Sequence, residues 1–295
     1  MIASLRKSIN GLKRDREHGA GWLTGQALEI LREAASLDPA ATTDKLLASL
    51  GGVIDALSEA RPAMVSIANY ALYFRDEIAA AALTSRSPQR LKKAAFSIAD
   101  RLIKLHQKSA ASAARNAAKL VTARSIVMTC SYSSAVCGAL DLAKRGGRDF
   151  KVLAIESRYK KICYGELTLQ RLKQSGIVGS IVPDSQIGWQ AARADLMLCG
   201  ADSVSLHGWL INGSPSLELA QMAQRRGRPF YAVCDTSKLD ARGLMAGLEQ
   251  VEQGFDQVPL DLITGLVTEK GVLQAEDAYK FTIEDLVRSA GERPL

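Results

Sequence analysis

Only three histidines occur in the 295 residues, His18, His106 and His207, and they stand far apart. With no histidine cluster and no C-x-x-C spacing, no metal centre is expected. The five cysteines, at 130, 137, 163, 199 and 234, are odd in number and scattered. That pattern excludes a disulfide framework and points to reduced thiols in a cytoplasmic protein. Aromatic residues make up 5% of the chain, too few for a platform on which nucleic-acid bases could stack. No apolar run approaches the roughly 18–20 residues that cross a bilayer, so no membrane partner is expected. The basic N-terminus lacks the apolar stretch of a secretory leader.

What is present supports a folded protein. An apolar content of 47% is enough for a real core and argues against disorder. The charge is uneven: up to Val121 there are 18 Lys and Arg against 11 Asp and Glu, and from Thr122 onward 20 against 20. The surplus can attract phosphate-bearing partners or simply form solvated helix faces. No nucleic-acid module motif accompanies it, so nucleic acid is not an expected partner.

Periodicity divides the chain in two. After a polar, basic stretch over residues 1–20, apolar residues recur at helical spacing from Leu23 to Ala35, then from Asp44 to Ser58. A third helix is expected to open at Arg61-Pro62 and a long fourth at Ser87-Pro88, since proline favours the first helical turn. The glycines around Gly19-Ala-Gly21 follow no strand and have the wrong spacing for a dinucleotide fingerprint. They read as a turn into a helix. Residues 1–121 are therefore expected to form a helical domain. From residue 122 to 295 the pattern is α/β. Short apolar runs at Ile126–Cys130, Phe150–Ile155, Ile177–Val182, Leu196–Cys199 and Phe230–Cys234 read as strands of a mostly parallel sheet. Helical patterns at 134–145, 165–175 and 185–194 lie between the first four, and another at 215–226 precedes the fifth. A hairpin is expected around His207-Gly208, a last strand near Leu262–Val267 and a terminal helix from Thr282.

The polar residues that end these strands suggest a site. They are Cys130, Glu156-Ser-Arg158, Asp184-Ser185, Gly200-Ala-Asp202 and Asp235-Thr-Ser-Lys238. Carboxyl ends of parallel strands share one rim, where open α/β sheets bind ligands. Cys130 stands where a strand ends and a helix begins, and the helix N-terminus would hold an anion and favour a thiolate. Each residue also has a structural alternative. Cys130 could be a small core residue, the aspartates could cap helices or turns, and Arg158 could pair with Glu156 or Glu166 on the surface.

In their order and spacing, these pieces resemble one family. It joins the α/β/δ subunits of translation initiation factor 2B with methylthioribose-1-phosphate isomerase and ribose-1,5-bisphosphate isomerase. The resemblance rests on His18-Gly-Ala-Gly21, Arg61-Pro-Ala-Met64 with Asn69, Ile126–Ser134, Glu156-Ser-Arg158 with Gly165, Pro183-Asp-Ser185, Gly200-Ala-Asp202, Ile211-Asn212 and Thr236-Ser-Lys238. It implies a helical domain followed by a Rossmann-like domain and a homodimer or higher homo-oligomer. It also implies aldose–ketose isomerisation of a phosphorylated ribose, without organic cofactor or metal. Cys130 and Asp202 then fall at the catalytic positions, facing one pocket. Asp202 would protonate the ring oxygen and Cys130 would take the C2 proton or steady the charge. The substrate-binding positions fall on His18, Gly19, Ala20, Arg61, Ser131, Ser133, Arg158, Asn212 and Lys238.

Two departures stand out. His18 replaces an arginine of the enzymes, and Gly213 replaces the lysine that follows their asparagine. Loss of that lysine removes a cation from the phosphate site, for which Arg61 and Lys238 are the expected substitutes. Gly213→Lys is expected to restore part of the loss. The Gly213 departure and the basic helical domain support the alternative function, a non-catalytic regulatory or scaffold protein that binds a nucleotide or sugar phosphate.

Overall fold

The computed structural model describes residues 2–85, 87–205, 207–245 and 252–274. The polar stretch at the N-terminus contains a helix, α1 (Ala3–Arg14), because Leu5, Ile9 and Leu12 recur one helical face apart and are buried. Basic residues on its remaining faces conceal that stripe in the sequence. Next come α2 (Ala20–Leu37), α3 (Thr43–Ser58), α4 (Val65–Thr84) and α5 (Pro88–Ala118). Thr42 and Ser87 cap α3 and α5 with their hydroxyls, and Pro88 occupies the first turn of α5. The third helix starts later than Arg61-Pro62 suggests. Pro62 lies in a turn closed by the Met64 N–H on the Arg61 carbonyl at 2.9 Å.

The helices pack around Leu23, Leu31, Leu50, Leu57, Tyr70, Phe74, Ile98 and Leu102. Helix α5 belongs to two cores. Its first part, to Leu105, fills the helical core, and Ala114, Ala117 and Ala118 pack against the sheet.

The second half is an α/β layer built on one sheet. Its strands are β1 (Ile126–Thr129), β2 (Lys151–Ile155), β5 (Val178–Val182), β6 (Leu196–Gly200), β9 (Phe230–Val233), β11 (Gly265–Thr268) and β12 (Gly271–Leu273). They lie in the order β5-β2-β1-β6-β9-β11-β12, all parallel except the antiparallel edge strand β12. Helices α6 (Ser134–Arg145), α7 (Tyr164–Lys173) and α9 (Ser216–Arg226) match the expected spans closely. The helix expected at 185–194 is instead two 3-10 turns, Asp184–Gln186 and Ala191–Arg193, around the single turn α8 (Ile187–Gln190). Gly188 sits in that turn, and glycine weakens a helix interior.

The hairpin strands are β7 (Ser203–Val204) and β8 (Trp209–Gly213). With β10 (Phe255–Pro259) they form a separate three-stranded antiparallel sheet. A further two-residue hairpin, β3 (Arg158–Tyr159) and β4 (Ile162–Cys163), precedes α7. The last parallel strand begins at Gly265, because Leu262 closes a 3-10 turn. The terminal helix expected from Thr282 lies outside the described residues. Among the described residues, no helix is long and apolar enough to cross a membrane.

Candidate functional site

The strand order reverses direction between β1 and β6. From β1 the chain runs outward through β2 to β5, and from β6 it runs the other way through β9 to β11. The gap beyond the carboxyl ends of such a pair is where open α/β sheets hold ligands. Here that gap is a cleft roofed by the helical half. Its lining includes Arg16, His18, Gly19, Arg61, Ser131, Tyr159, Tyr164, Asp202, Gly213 and Gly254. It is narrow, with about 50 Å3 of open space. A wider chamber of about 540 Å3 lies alongside and shares Glu17, His18 and Tyr132 with it.

Cys130 and Ser131 divide at the floor of this cleft. Side chains alternate across a strand. Val127 faces α5 and α6, while Met128 and Cys130 belong to the apolar cluster on the opposite face, with Met197, Cys199 and Ala201. Cys130 is fully buried there and does not line the cleft. Burial, followed by the negative charges of Asp256 and Asp184, raises the thiol well above its ordinary value. The expected thiolate is thus corrected: desolvation outweighs the nearby helix N-terminus. The next residue leaves the strand. Ser131 has φ 59°, in the left-handed region, and its side chain enters the cleft. Its N–H donates to Ser157 Oγ at 2.8 Å, and its carbonyl accepts from Thr168 Oγ1 at 3.2 Å. Ser157 is itself left-handed, at φ 47°, and its N–H donates to Asp184 Oδ1 at 2.8 Å. Two adjoining strained serines at a strand-end rim mark a place where packing overrides local preference.

Ser131 also explains Gly213. A Cβ on residue 213 would lie 2.4 Å from Ser131 Oγ and 3.0 Å from its Cβ. The space a larger side chain would need at 213 is already filled. A lysine here does not simply add back a cation, contrary to the sequence expectation.

Asp202 is buried across the cleft. Burial raises its carboxyl above the ordinary value; Lys238, Arg61 and a hydrogen bond from the Ala20 N–H oppose that rise. Ala20 is the first residue of α2, whose cap Gly19 offers no side chain to the orphan N–H groups. The helical half therefore aims a positive helix end at a carboxylate of the sheet half. Arg61 is 3% exposed. One guanidinium nitrogen donates to the Asp15 carbonyl at 2.7 Å, but Nε has no partner. Burial lowers its pKa, as does Arg16 beside it. Asn212 Nδ2 is a second buried donor without a partner. Lys238 is buried and donates through Nζ to the Ala201 carbonyl, next to Asp202.

The remaining candidates separate. His18 lines the cleft, bonded to Asp15 at 2.8 Å and stacked on Trp22 with ring centroids 3.8 Å apart. Ser133 caps α6 by accepting from the Val136 N–H. Arg158 is exposed and pairs with Glu156, Nε to Oε1 at 2.9 Å, so its structural alternative is the one observed. Arg16, Tyr159 and Tyr164 are cleft residues that motif matching passed over. Arg16 lies two residues before His18, where the enzymes' arginine is missing, and that proximity is the signal that could have found it. It also reaches Glu252 at 3.4 Å, while the Tyr164 hydroxyl donates to the Arg16 carbonyl at 2.7 Å. Among the described residues, no group of three or more His, Cys, Asp or Glu side chains could hold a metal ion.

Comparison with known proteins agrees with this architecture. The sequence model of the Initiation factor 2 subunit family matches residues 16–246. A Pyrococcus furiosus protein named as a translation initiation factor eIF-2B subunit 2-like protein is 27% identical, covering 90% of this chain and 95% of that one. A Methanocaldococcus jannaschii ribose 1,5-bisphosphate isomerase is 22% identical, covering 93% of each. The crystal structure of the Pyrococcus horikoshii OT3 translation initiation factor eIF-2B has the same fold. It superposes with a TM-score of 0.81 at 21% identity, covering 93% of this chain and 98% of that one.

Proposed function

Since the chain belongs to the Initiation factor 2 subunit family, we propose that its interdomain cleft binds a phosphorylated ribose or a nucleotide without turning it over. The observation that carries this reading is Arg61 Nε, a buried donor without a partner on a residue that lines the cleft together with Gly19, the cap of α2; Asn212 Nδ2, next in the chain to the cleft residue Gly213, is a further buried donor without a partner. Leaving such donors unsatisfied costs roughly 1–3 kcal/mol each, and more when the group is charged. An oxygen-rich anion would satisfy them and meet the helix dipole as well. Arg16, which lines the cleft, and Lys238, close to Asp202, add positive charge. The likeness to proteins named for translation initiation factor eIF-2B supports the regulatory or scaffold role, which a homodimer or larger homo-oligomer would carry out in the cytoplasm.

Binding without turnover follows from Cys130. Moving hydrogen between C1 and C2 of an open-chain sugar needs an acid and a second group at the carbon centre. The thiol that the resemblance assigns to that step is turned into the core.

A second reading, aldose–ketose isomerase, has one observation in its favour. Asp202 is a buried carboxyl with a raised pKa in the cleft, suited to protonating a ring oxygen. The relatives named ribose 1,5-bisphosphate isomerase support it too. One experiment separates the two. Ribose 1-phosphate, ribose 1,5-bisphosphate, methylthioribose 1-phosphate and AMP are titrated by calorimetry, and the sugars are assayed for ketose formation. Binding of at least one with no ketose is expected. Ketose formation gives the isomerase reading precedence, and no binding by any of the four removes the ligand reading.

A further inference from the structure

Lys238 is a long, flexible side chain on a short turn, yet it sits buried beside Asp202. We infer that Asn69 and Glu269 are positioning residues that fix Lys238 against Asp202, the carboxyl that lines the cleft, an inference that rests on the ligand reading above. Neither residue lines the cleft. Asn69 belongs to α4 in the helical half and Glu269 to the connection between β11 and β12. Neither is explained by ligand contact.

Both grip the turn that carries the lysine. Lys238 ends the 3-10 turn Thr236–Lys238, which follows β9. Asn69 Nδ2 donates to the Ser237 carbonyl at 2.8 Å and to the Leu239 carbonyl at 3.0 Å, the residues on either side of Lys238. Glu269 accepts from the Thr236 N–H at 3.0 Å and from its hydroxyl at 2.5 Å. Asp235 accepts from the Ser237 N–H at 3.1 Å. The Asp240 N–H donates to the Val204 carbonyl at 2.8 Å and closes the far end. A turn of three residues is thus held by side chains from α4 and from the β11–β12 connection, by its own cap Asp235 and by one backbone bond.

Stability alone is a poor reason for this arrangement. Asp235 is buried, and Glu269 lies close enough that the two carboxylates repel. Burying carboxylates beside one another is expensive, and a neutral anchor would hold the turn at lower cost. What the arrangement fixes is the origin of the Lys238 side chain, and Nζ then reaches the Ala201 carbonyl. The helical half would thus supply one cleft cation, Arg61, directly and, through Asn69, set the lysine that backs the cleft carboxyl Asp202.

The test is a double-mutant cycle in the full-length protein. Asn69→Ala and Glu269→Ala are each made alone and with Lys238→Met, and the affinity for ribose 1,5-bisphosphate and for AMP is measured by calorimetry. Each single change should weaken binding of the ligand that binds by about threefold to tenfold, and add little once Lys238 is gone. Glu269→Gln, nearly isosteric and still able to accept one bond, should recover part of the loss and folds even where the alanine variants do not. A second measurement needs no ligand. Acetic anhydride labelling of the folded protein, read by peptide mass spectrometry, should acetylate Lys238 faster in both alanine variants than in wild type, and at an intermediate rate in Glu269→Gln. Losses that add fully in the double variants, or unchanged Lys238 labelling, overturn the inference. If wild type binds neither ligand, the ligand reading fails, and the labelling still decides whether Asn69 and Glu269 hold Lys238.

Discussion

One step along the chain, from Cys130 to Ser131, takes a side chain from an apolar interior to a polar cleft. Buried thiols are inert, so alkylation of the native protein at neutral pH should not favour Cys130. Cys163, which borders the wider chamber, should react first, as peptide mapping after iodoacetamide treatment would show. Ser131 also governs its neighbour across the cleft. Gly213→Lys should destabilise by about 1–3 kcal/mol through overpacking, seen as a lowered denaturant midpoint. Adding Ser131→Gly should recover much of that loss, since glycine suits the left-handed backbone and clears the space. Asp202 makes a prediction with a definite sign. Its native pKa is raised above 3.8, so the native state holds this proton more tightly than the unfolded chain does. Stability is therefore lost as pH rises from the unfolded value through the native one. Asp202→Asn has no such slope. It should melt higher than wild type near pH 7, and the difference should shrink as the pH falls toward 4. At this scale the sequence was half legible. Strand alternation already places Cys130 on the face of Met128. The left-handed turn after it depends on Ser157 and Thr168, which are distant in the chain, and no glycine announces it.

At the scale of elements, periodicity was the reliable signal and terminal chemistry the weaker one. The five main parallel strands, α5, α6, α7 and α9 were legible because apolar repeats and caps agreed. Helix α1 was hidden by its cations. The start of α4 was misplaced because Pro62 fits a turn as well as a first helical turn, and the choice is made by Ser203, which caps Val65 from the other half of the molecule. Strands β3, β4, β10 and β12 are too short or too polar to stand out from loops. Helix α5 is the element on which both cores depend. Ala110 lies between its two packed parts, so Ala110→Pro removes a backbone hydrogen bond and kinks the helix there. A loss of about 3 kcal/mol or more is expected, and calorimetry should show the single wild-type transition broadening or dividing in two.

For the whole molecule, the seam between the halves is polar where it matters. Ser203 is fully buried; its hydroxyl donates to the Ala63 carbonyl at 2.8 Å and accepts from the Val65 N–H at 2.9 Å. Ser203→Ala leaves both groups buried and unpaired. It should cost about 1–3 kcal/mol in equilibrium unfolding and, because the seam roofs the cleft, should also weaken ligand binding measured by calorimetry. None of these cross-seam pairs was legible in advance. Ala63 and Ser203, like Asn69 and Ser237, are joined only after the chain has folded, and no local pattern marks them as partners.

Helix α5 has a consequence for any attempt to divide this protein. The sequence changes its period just after Val121, which invites a cut there. A cut at that point would leave Ala114, Ala117, Ala118 and Val121 on the helical fragment with the sheet they pack against removed. The fragment would carry a bare apolar stripe at its end and clump or seek a surrogate. The other fragment would expose the matching groove along Leu140, Val152 and Leu198. Gene fusions, truncations and split reporters built on this chain therefore need α5 left joined to both halves, since each part of it fills one core.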